Sequence, residues 1–190
     1  MAFDSTLAGG LSAHACVEPA HDGARLRHAF VEHYPGVWRF LRRMGVPADR
    51  ADDAAQHVFL VAVEALPRIL RGSERAFLYA TAVRIAHGVR RRGDREIHGL
   101  NFDLDASPLP SPDELADQKR AREALDALLE RLEMDARTVF VLFEFDGFTV
   151  PEIAQVLAIP LGTAASRLRR AREHFQALVR ALLRPEASER

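Results

Sequence analysis

Pro108, Pro110 and Pro112 place three prolines in five positions, and no regular helix survives that density of missing N–H donors and fixed φ angles. They lie in a span, 93–117, that holds seven acidic residues (Asp94, Glu96, Asp103, Asp105, Asp113, Glu114, Asp117) and one basic residue, Arg95. With no apolar repeat running through it, the span reads as an acidic linker. The sequence on either side must then bury its own apolar face, so the 190 residues divide into two blocks of about 70 residues each, a size at which small domains fold. Residues 1–24 show no sustained period and read as a flexible leader; 184–190 read as a flexible tail.

In the first block, 25–92, Leu26, Phe30, Tyr34, Val37, Leu41 and Met44 recur at three and four, the stripe of one helix, which Gly45-Val46-Pro47 ends. A second helix is expected from Asp49, with Ala51, Ala55, Val58, Phe59, Ala62 and Leu66 inward and a stop at Pro67. A third, 74–92, presents Phe77, Leu78, Thr81, Ile85 and Val89. In the second block, 118–183, Ala121, Leu125, Leu128 and Leu132 mark a fourth helix, and Val139, Leu142 and Phe143 a fifth ending near Asp146-Gly147. Thr149-Val150-Pro151-Glu152 then has the spacing of a capping box. A short helix follows, interrupted over 158–162, before a longer one from about Thr163 to Leu183 with Leu168, Ala171, Phe175, Leu178 and Leu182 inward. Short helix, tight break and longer helix are a helix-turn-helix pattern. The predicted fold is all-α: two small helical domains joined by an acidic, proline-containing linker, the second carrying a helix-turn-helix.

A net charge of -1 gives no general attraction to polyanions, so any nucleic-acid surface must come from local clusters. The 26 basic residues include a single lysine, Lys119, and the rest are arginines, the side chain suited to phosphate and base edges. Cys16, the only cysteine, excludes an intramolecular disulfide. No apolar run long enough to span a membrane and no export signal are present, which predicts a cytoplasmic protein. Phosphate-loop, zinc-protease and serine-hydrolase motifs are absent, so neither an enzyme nor a cofactor is expected. Asp53 and His57, one turn apart, lack further ligands for a metal.

Three clusters carry candidate chemistry. Asp52, Asp53, Gln56 and His57, with the apolar edge Phe59, Leu60 and Val63, suit a partner-docking face; the acids also suit a helix start on their own account. Phe77 and Tyr79 upstream of Arg84, Arg90, Arg91 and Arg92 combine stacking rings with guanidiniums, the chemistry of single-strand binding, though Phe77 at this spacing more often serves a core, while Tyr79 suits either place because its hydroxyl can sit at a surface. Arg167, Arg169, Arg170 and Arg172, behind the small first-turn residues Thr163 and Ser166, suit either a major-groove reader or a solvated face. Arg167, nearest the helix start, is expected to contact a base edge, Arg170 to be the second choice, and Arg172 to contact phosphate.

In order and spacing these segments resemble bacterial sigma factors of the sigma-70 family, in the extracytoplasmic-function (ECF) group that keeps only regions 2 and 4. Asp52-Asp53-Ala54-Ala55-Gln56-His57-Val58-Phe59-Leu60 is similar to the region 2.2 motif. Phe77-Leu78-Tyr79 with Ile85-Ala86 and Arg90-Arg91-Arg92 resembles regions 2.3 and 2.4, and residues 148–172 resemble region 4.2. The resemblance implies a factor that binds core RNA polymerase through Asp52, Asp53, Gln56, His57 and Leu60. It implies that the protein melts and reads the -10 element with Phe77, Tyr79, Arg84, Arg90, Arg91 and Arg92. The -35 duplex would be read with Thr163, Ser166, Arg167, Arg169, Arg170 and Arg172. An anti-sigma factor is a further implied partner. His57 stands where the family usually has Glu, Arg84 and Gly88 where it has Asn and Asp, and Ala165 where it has Lys. These departures leave two alternatives: a sigma-like regulator with little promoter melting, or a helical interaction scaffold. The acidic linker could follow a basic channel in the polymerase or serve as a plain spacer.

Overall fold

A computed structural model describes residues 19–96 and 112–183, with side chains over 23–91 and 120–183. The described residues form α1 (Pro19–Arg43), α2 (Ala48–Ala65), α3 (Glu74–Glu96), α4 (Pro112–Glu130), α5 (Met134–Glu144), α6 (Val150–Leu157) and α7 (Leu161–Leu182). The all-α expectation holds. α1 starts inside the span read as leader, while α3 and α4 take both ends of the span read as linker. The physical reason is shared by Pro19 and Pro112: the first helical position has no N–H to lose, so proline begins a helix as readily as it breaks one. The expected leader 1–18, linker centre 97–111 and tail 184–190 lie outside the described residues.

The expected helix stops are where the chain turns. Gly45 takes φ +87 after α1, and Met44 and Val46 donate back to the α1 carbonyls of Phe40 and Leu41. Between α6 and α7 the break falls on Ala158, left-handed at φ 51, with Pro160 as the cap of α7. Leu161 and Gly162, expected in the turn, are already helical. Thr149 makes the anticipated capping box: its N–H donates to Glu152 Oε2 at 2.7 Å and its hydroxyl accepts from the Glu152 N–H. The Thr149 N–H, together with the Thr149 hydroxyl donating to the same oxygen, holds the Glu152 carboxyl below its ordinary pKa.

α1, α2 and α3 pack on one another around Val37, Phe40, Leu41, Met44, Ala55, Val58 and Leu78. In the second block α5, α6 and α7 enclose Val139, Leu142, Ile153, Ala164, Leu168 and Ala171. These cores are not separate: they join into one apolar cluster, because α6 packs on α3 and α5 on α1. Within the first block, Gly36 in α1 permits the close approach of α3, since a Cβ there would stand 2.7 Å from the Tyr79 hydroxyl.

Candidate partner and nucleic-acid interfaces

α1 and α2 leave an apolar groove of about 480 Å³ on their outer side, lined by Leu26, Phe30, Val31, Phe59, Leu60 and Val63. Leu60 is 62% exposed and Val31 78%. Phe59, expected both among the inward residues of α2 and on its apolar edge, is buried: its ring meets Phe30 edge-on at 4.9 Å and forms the groove floor. Asp52, Asp53, Gln56 and His57 are exposed beside the groove, as the helical spacing predicted. Asp52 accepts a hydrogen bond from the Tyr34 hydroxyl at 3.3 Å. The α2 sequence showed one wall; the other, Leu26, Phe30 and Val31 of α1, was hidden because Leu26 and Phe30 belong to a regular stripe that reads as core.

α3 distributes the proposed single-strand residues over two faces. Phe77, Arg84 and Arg91 recur every seven residues and share one side of the helix. Arg84 and Arg91 are exposed there, Arg84 donating to the Thr81 hydroxyl at 3.0 Å, while Phe77 is half-buried against the core. Tyr79 lies on the side facing the second block and is buried. Its hydroxyl donates to Asp146 Oδ1 at 2.9 Å, and its ring packs edge-on against Phe40 and Phe148. Burial, reinforced by the Asp146 charge, raises the Tyr79 pKa. Tyr79 is therefore closed to a nucleic-acid strand in this arrangement. Arg90 is half-buried near the same side; the Arg92 side chain lies outside the described residues.

In the helix-turn-helix, α7 turns Ala164, Leu168 and Ala171 inward. Successive residues advance about 100 degrees, so the outward centre falls on Gly162, Ser166, Arg169 and Glu173, with Ala165 and Arg170 beside it. Arg169 and Arg170 are exposed; Arg169 pairs with Glu173 at 3.0 Å, and Arg170 Nε donates to the Ser166 carbonyl at 3.4 Å. Ser166 Oγ in turn donates to the half-buried Thr163 carbonyl at 3.0 Å. Arg167 and Arg172 flank the packed face and are held by α5. Arg167 Nη2 stands 2.6 Å from Asp135 Oδ2; Arg172 Nε stands 2.6 Å from Glu144, with its guanidinium over the Phe143 ring. The expected order of reading residues thus changes, because the two arginines singled out for base and phosphate are engaged within the fold. Sequence could not show this, since Asp135 and Glu144 lie on another helix.

Among the described residues, no group of three or more His, Cys, Asp or Glu side chains is arranged to hold a metal, and no helix is long and apolar enough to cross a membrane.

The comparisons with known proteins follow the two blocks. Residues 29–96 match the family model "Sigma-70 region 2", and residues 122–175 match "Sigma-70, region 4". The ferric citrate uptake sigma factor FecI of Escherichia coli is 32% identical over 146 residues, 75% of this chain and 83% of its own. The ECF RNA polymerase sigma factor SigE of Mycolicibacterium smegmatis is 27% identical over 148 residues, of which this chain spans 58% of the relative's length. The same fold occurs in CnrH, solved in complex with the cytosolic domain of CnrY, with a TM-score of 0.64 and 24% identity over 85% of this chain and 94% of that one.

Proposed function

The chain belongs to the ECF group of the sigma-70 family of RNA polymerase sigma factors, and on that premise we propose how its two blocks divide the work of promoter recognition. The protein binds core RNA polymerase and directs it to -35 and -10 elements; bond making belongs to the polymerase. The observation that carries this reading is the pairing of an open apolar groove beside α2 with an arginine-bearing recognition helix, α7, in one chain.

The groove is the polymerase contact. Leu60, Val63, Phe30 and Val31 supply apolar area that water would otherwise cover, and Asp52, Asp53, Gln56 and His57 form the polar rim that fixes register. The -10 strand runs along the outer side of α3, where Phe77 offers a ring edge and Arg84 and Arg91 offer guanidiniums, with Arg90 and Arg92 continuing toward the helix end. Tyr79 joins this surface only when the second block moves off it. On α7, Ser166 and Arg169 face the base edges of the -35 duplex, Thr163 and Arg170 lie beside them, and Arg167 and Arg172 reach phosphates after leaving their α5 carboxylates. The likeness of fold to a sigma factor RpoE solved in complex with the anti-sigma factor NepR from Bartonella quintana supports an anti-sigma factor as a partner of this chain as well.

Reconstitution with core RNA polymerase, followed by sequencing of transcript starts, tests the assignment. Starts should cluster downstream of a shared pair of elements. Duplex binding without initiation would instead favour a sigma-like regulator, for which the departures Arg84, Gly88 and Ala165 on the two DNA-reading helices supply the motive.

A further inference from the structure

The first turn of α7 carries a surface for which the described residues supply no packing reason. Leu161, its first residue, is 54% exposed, and Ala165, one turn on, is exposed as well. With about 100 degrees between successive residues, Leu161, Ala165 and Arg169 form one row that starts at the rim of the packed face and drifts outward. Gly162 sits beside that row. It is helical without a positive φ, and a Cβ there would meet nothing within 4 Å. Neither backbone conformation nor crowding therefore calls for glycine at 162, although glycine is the poorest helix former after proline. The helix start is thus at once apolar, exposed and bare.

Such a surface has a definite preference among base pairs. Guanine O6, purine N7, adenine N6 and cytosine N4 are hydrogen-bonding groups on the major-groove edge, and an apolar side chain that covers one of them removes its water without replacing the bond. The thymine C5-methyl is the one methyl group on those edges, and covering it is favourable. Cβ atoms four positions apart on a helix are about 5–6 Å apart, between one and two base steps of about 3.4 Å. Leu161 and Ala165 can therefore cover methyls on one pair or on two neighbouring pairs, while Arg169, a further turn along the row, bonds to the next.

We propose that Leu161 and Ala165 are specificity-determining residues that read thymine methyl groups in the -35 duplex, and that Gly162 is bare so that the helix start comes close enough for them to touch. The proposal rests on the assignment of α7 to that duplex. It adds which base is chosen there and how: thymine, by apolar contact, beside the pair that Arg169 reads. Other pairs are rejected because their polar edges lose water.

The test uses the full chain bound to core RNA polymerase. Duplexes are selected from a pool randomised over the upstream element, and each thymine of the selected element is then replaced by deoxyuridine, which keeps base pairing and deletes only the methyl. One or two of these replacements should weaken binding about fourfold each, the effect of burying one further carbon group. Leu161→Ala and Ala165→Gly should each weaken binding of the thymine duplex and remove most of its difference from the deoxyuridine one. Ala165→Lys places a donor where the methyl was and should move the preference at that pair from thymine to guanine. Gly162→Ala should raise the melting temperature of the free chain yet weaken duplex binding severalfold. Circular dichroism checks that helicity is kept; if Ala165→Gly loosens the helix start, Leu161→Ala still decides. Indifference of the parent to every deoxyuridine replacement overturns the proposal, as does a full methyl effect in both Leu161→Ala and Ala165→Gly. Loss of polymerase capture by Leu161→Ala with the methyl effect kept assigns Leu161 to a protein contact and overturns it too. A pool that yields no enriched element, or one that ignores Arg169→Ala, overturns the assignment of α7 and the methyl reading with it. An enriched element that responds to Arg169→Ala but not to deoxyuridine strikes the methyl reading alone.

Discussion

The outer side of α2 and the outer side of α7 are both candidate binding surfaces, yet the fold treats them oppositely. The groove beside α2 is apolar, preformed and unoccupied by any of the described side chains, whereas Arg167, Arg169 and Arg172 of α7 are all paired with carboxylates of their own block. The difference follows from what each surface must recognise. An apolar groove gains from burial alone and has nothing to exchange. A cationic surface aimed at a polyanion needs a resting partner for its guanidiniums, and exposed carboxylates supply one at a cost of about 0–1 kcal/mol per pair on release. The first block is ready for its partner as folded; the second must release its own carboxylates first.

That contrast can be broken most sharply at the groove. Truncation of central contacts costs on the order of 2 kcal/mol or more, so Gln56→Ala with Leu60→Ala should lower polymerase affinity at least thirtyfold. DNA binding by α7 should be untouched. Unchanged capture of polymerase in a pull-down would remove the docking role from α2.

The seam between the blocks responds next. Burial pushes the Asp146 carboxyl up to about 6, against the opposing pull of the Tyr79 hydroxyl bond and of Arg43, Arg75 and Arg39. A carboxyl whose folded-state pKa is raised favours the packed state when protonated, so its contribution is present at low pH and is lost as pH rises through about 6. His87 and His33 are lowered chiefly by burial and act the other way, favouring the packed state when neutral. Asp146→Asn isolates the carboxyl. At pH 7.5 it should be more stable than the parent by up to about 2 kcal/mol, a gap that narrows toward pH 5. A stability difference between the two proteins, read by chemical denaturation, that stays constant across that range would refute the assignment.

On α7 the expected effects are smaller and differ in kind. Arg169→Ala should cost about 1–3 kcal/mol at one base pair of a randomised duplex pool and flatten the preference there. Arg172→Ala should weaken all sequences alike and lower the salt slope by about one unit. Sequence preference that survives Arg169→Ala but collapses with Arg167→Ala would restore Arg167 as the base reader. The smallest change should come from Asp135→Asn. By freeing Arg167 it should raise affinity for every duplex by at most about 1 kcal/mol and steepen the salt dependence.

How much of the protein was legible in the sequence varies by element. The capping box at Thr149 and Glu152 was read directly, because both partners lie within one turn. The helix-turn-helix was read as well, although the turn was placed two residues too long, since Gly162 is helical and Ala158 takes the left-handed position instead. Pro19 and Pro112 misled in the other direction, because proline marks a helix start and a helix break with the same residue. The motif beside Asp52 identified the right face of α2 but only half of the groove.

Local interactions therefore determined what the sequence alone could tell: seven-helix content over the described residues, the division into two blocks, the order of family motifs and the outward position of Asp53, Gln56, Leu60 and Arg169. Each depends on residues a few positions apart, whose relation is set by helical geometry. Only the tertiary structure decided that Tyr79 is buried against Phe148, that Arg137 is sealed at the seam, and that Asp135 and Glu144 hold Arg167 and Arg172. Those pairings join residues 28 to 94 positions apart on different elements, from Glu144 and Arg172 to Arg43 and Arg137. No periodicity records them, because they are fixed by how one packed surface meets another rather than by the path of the chain.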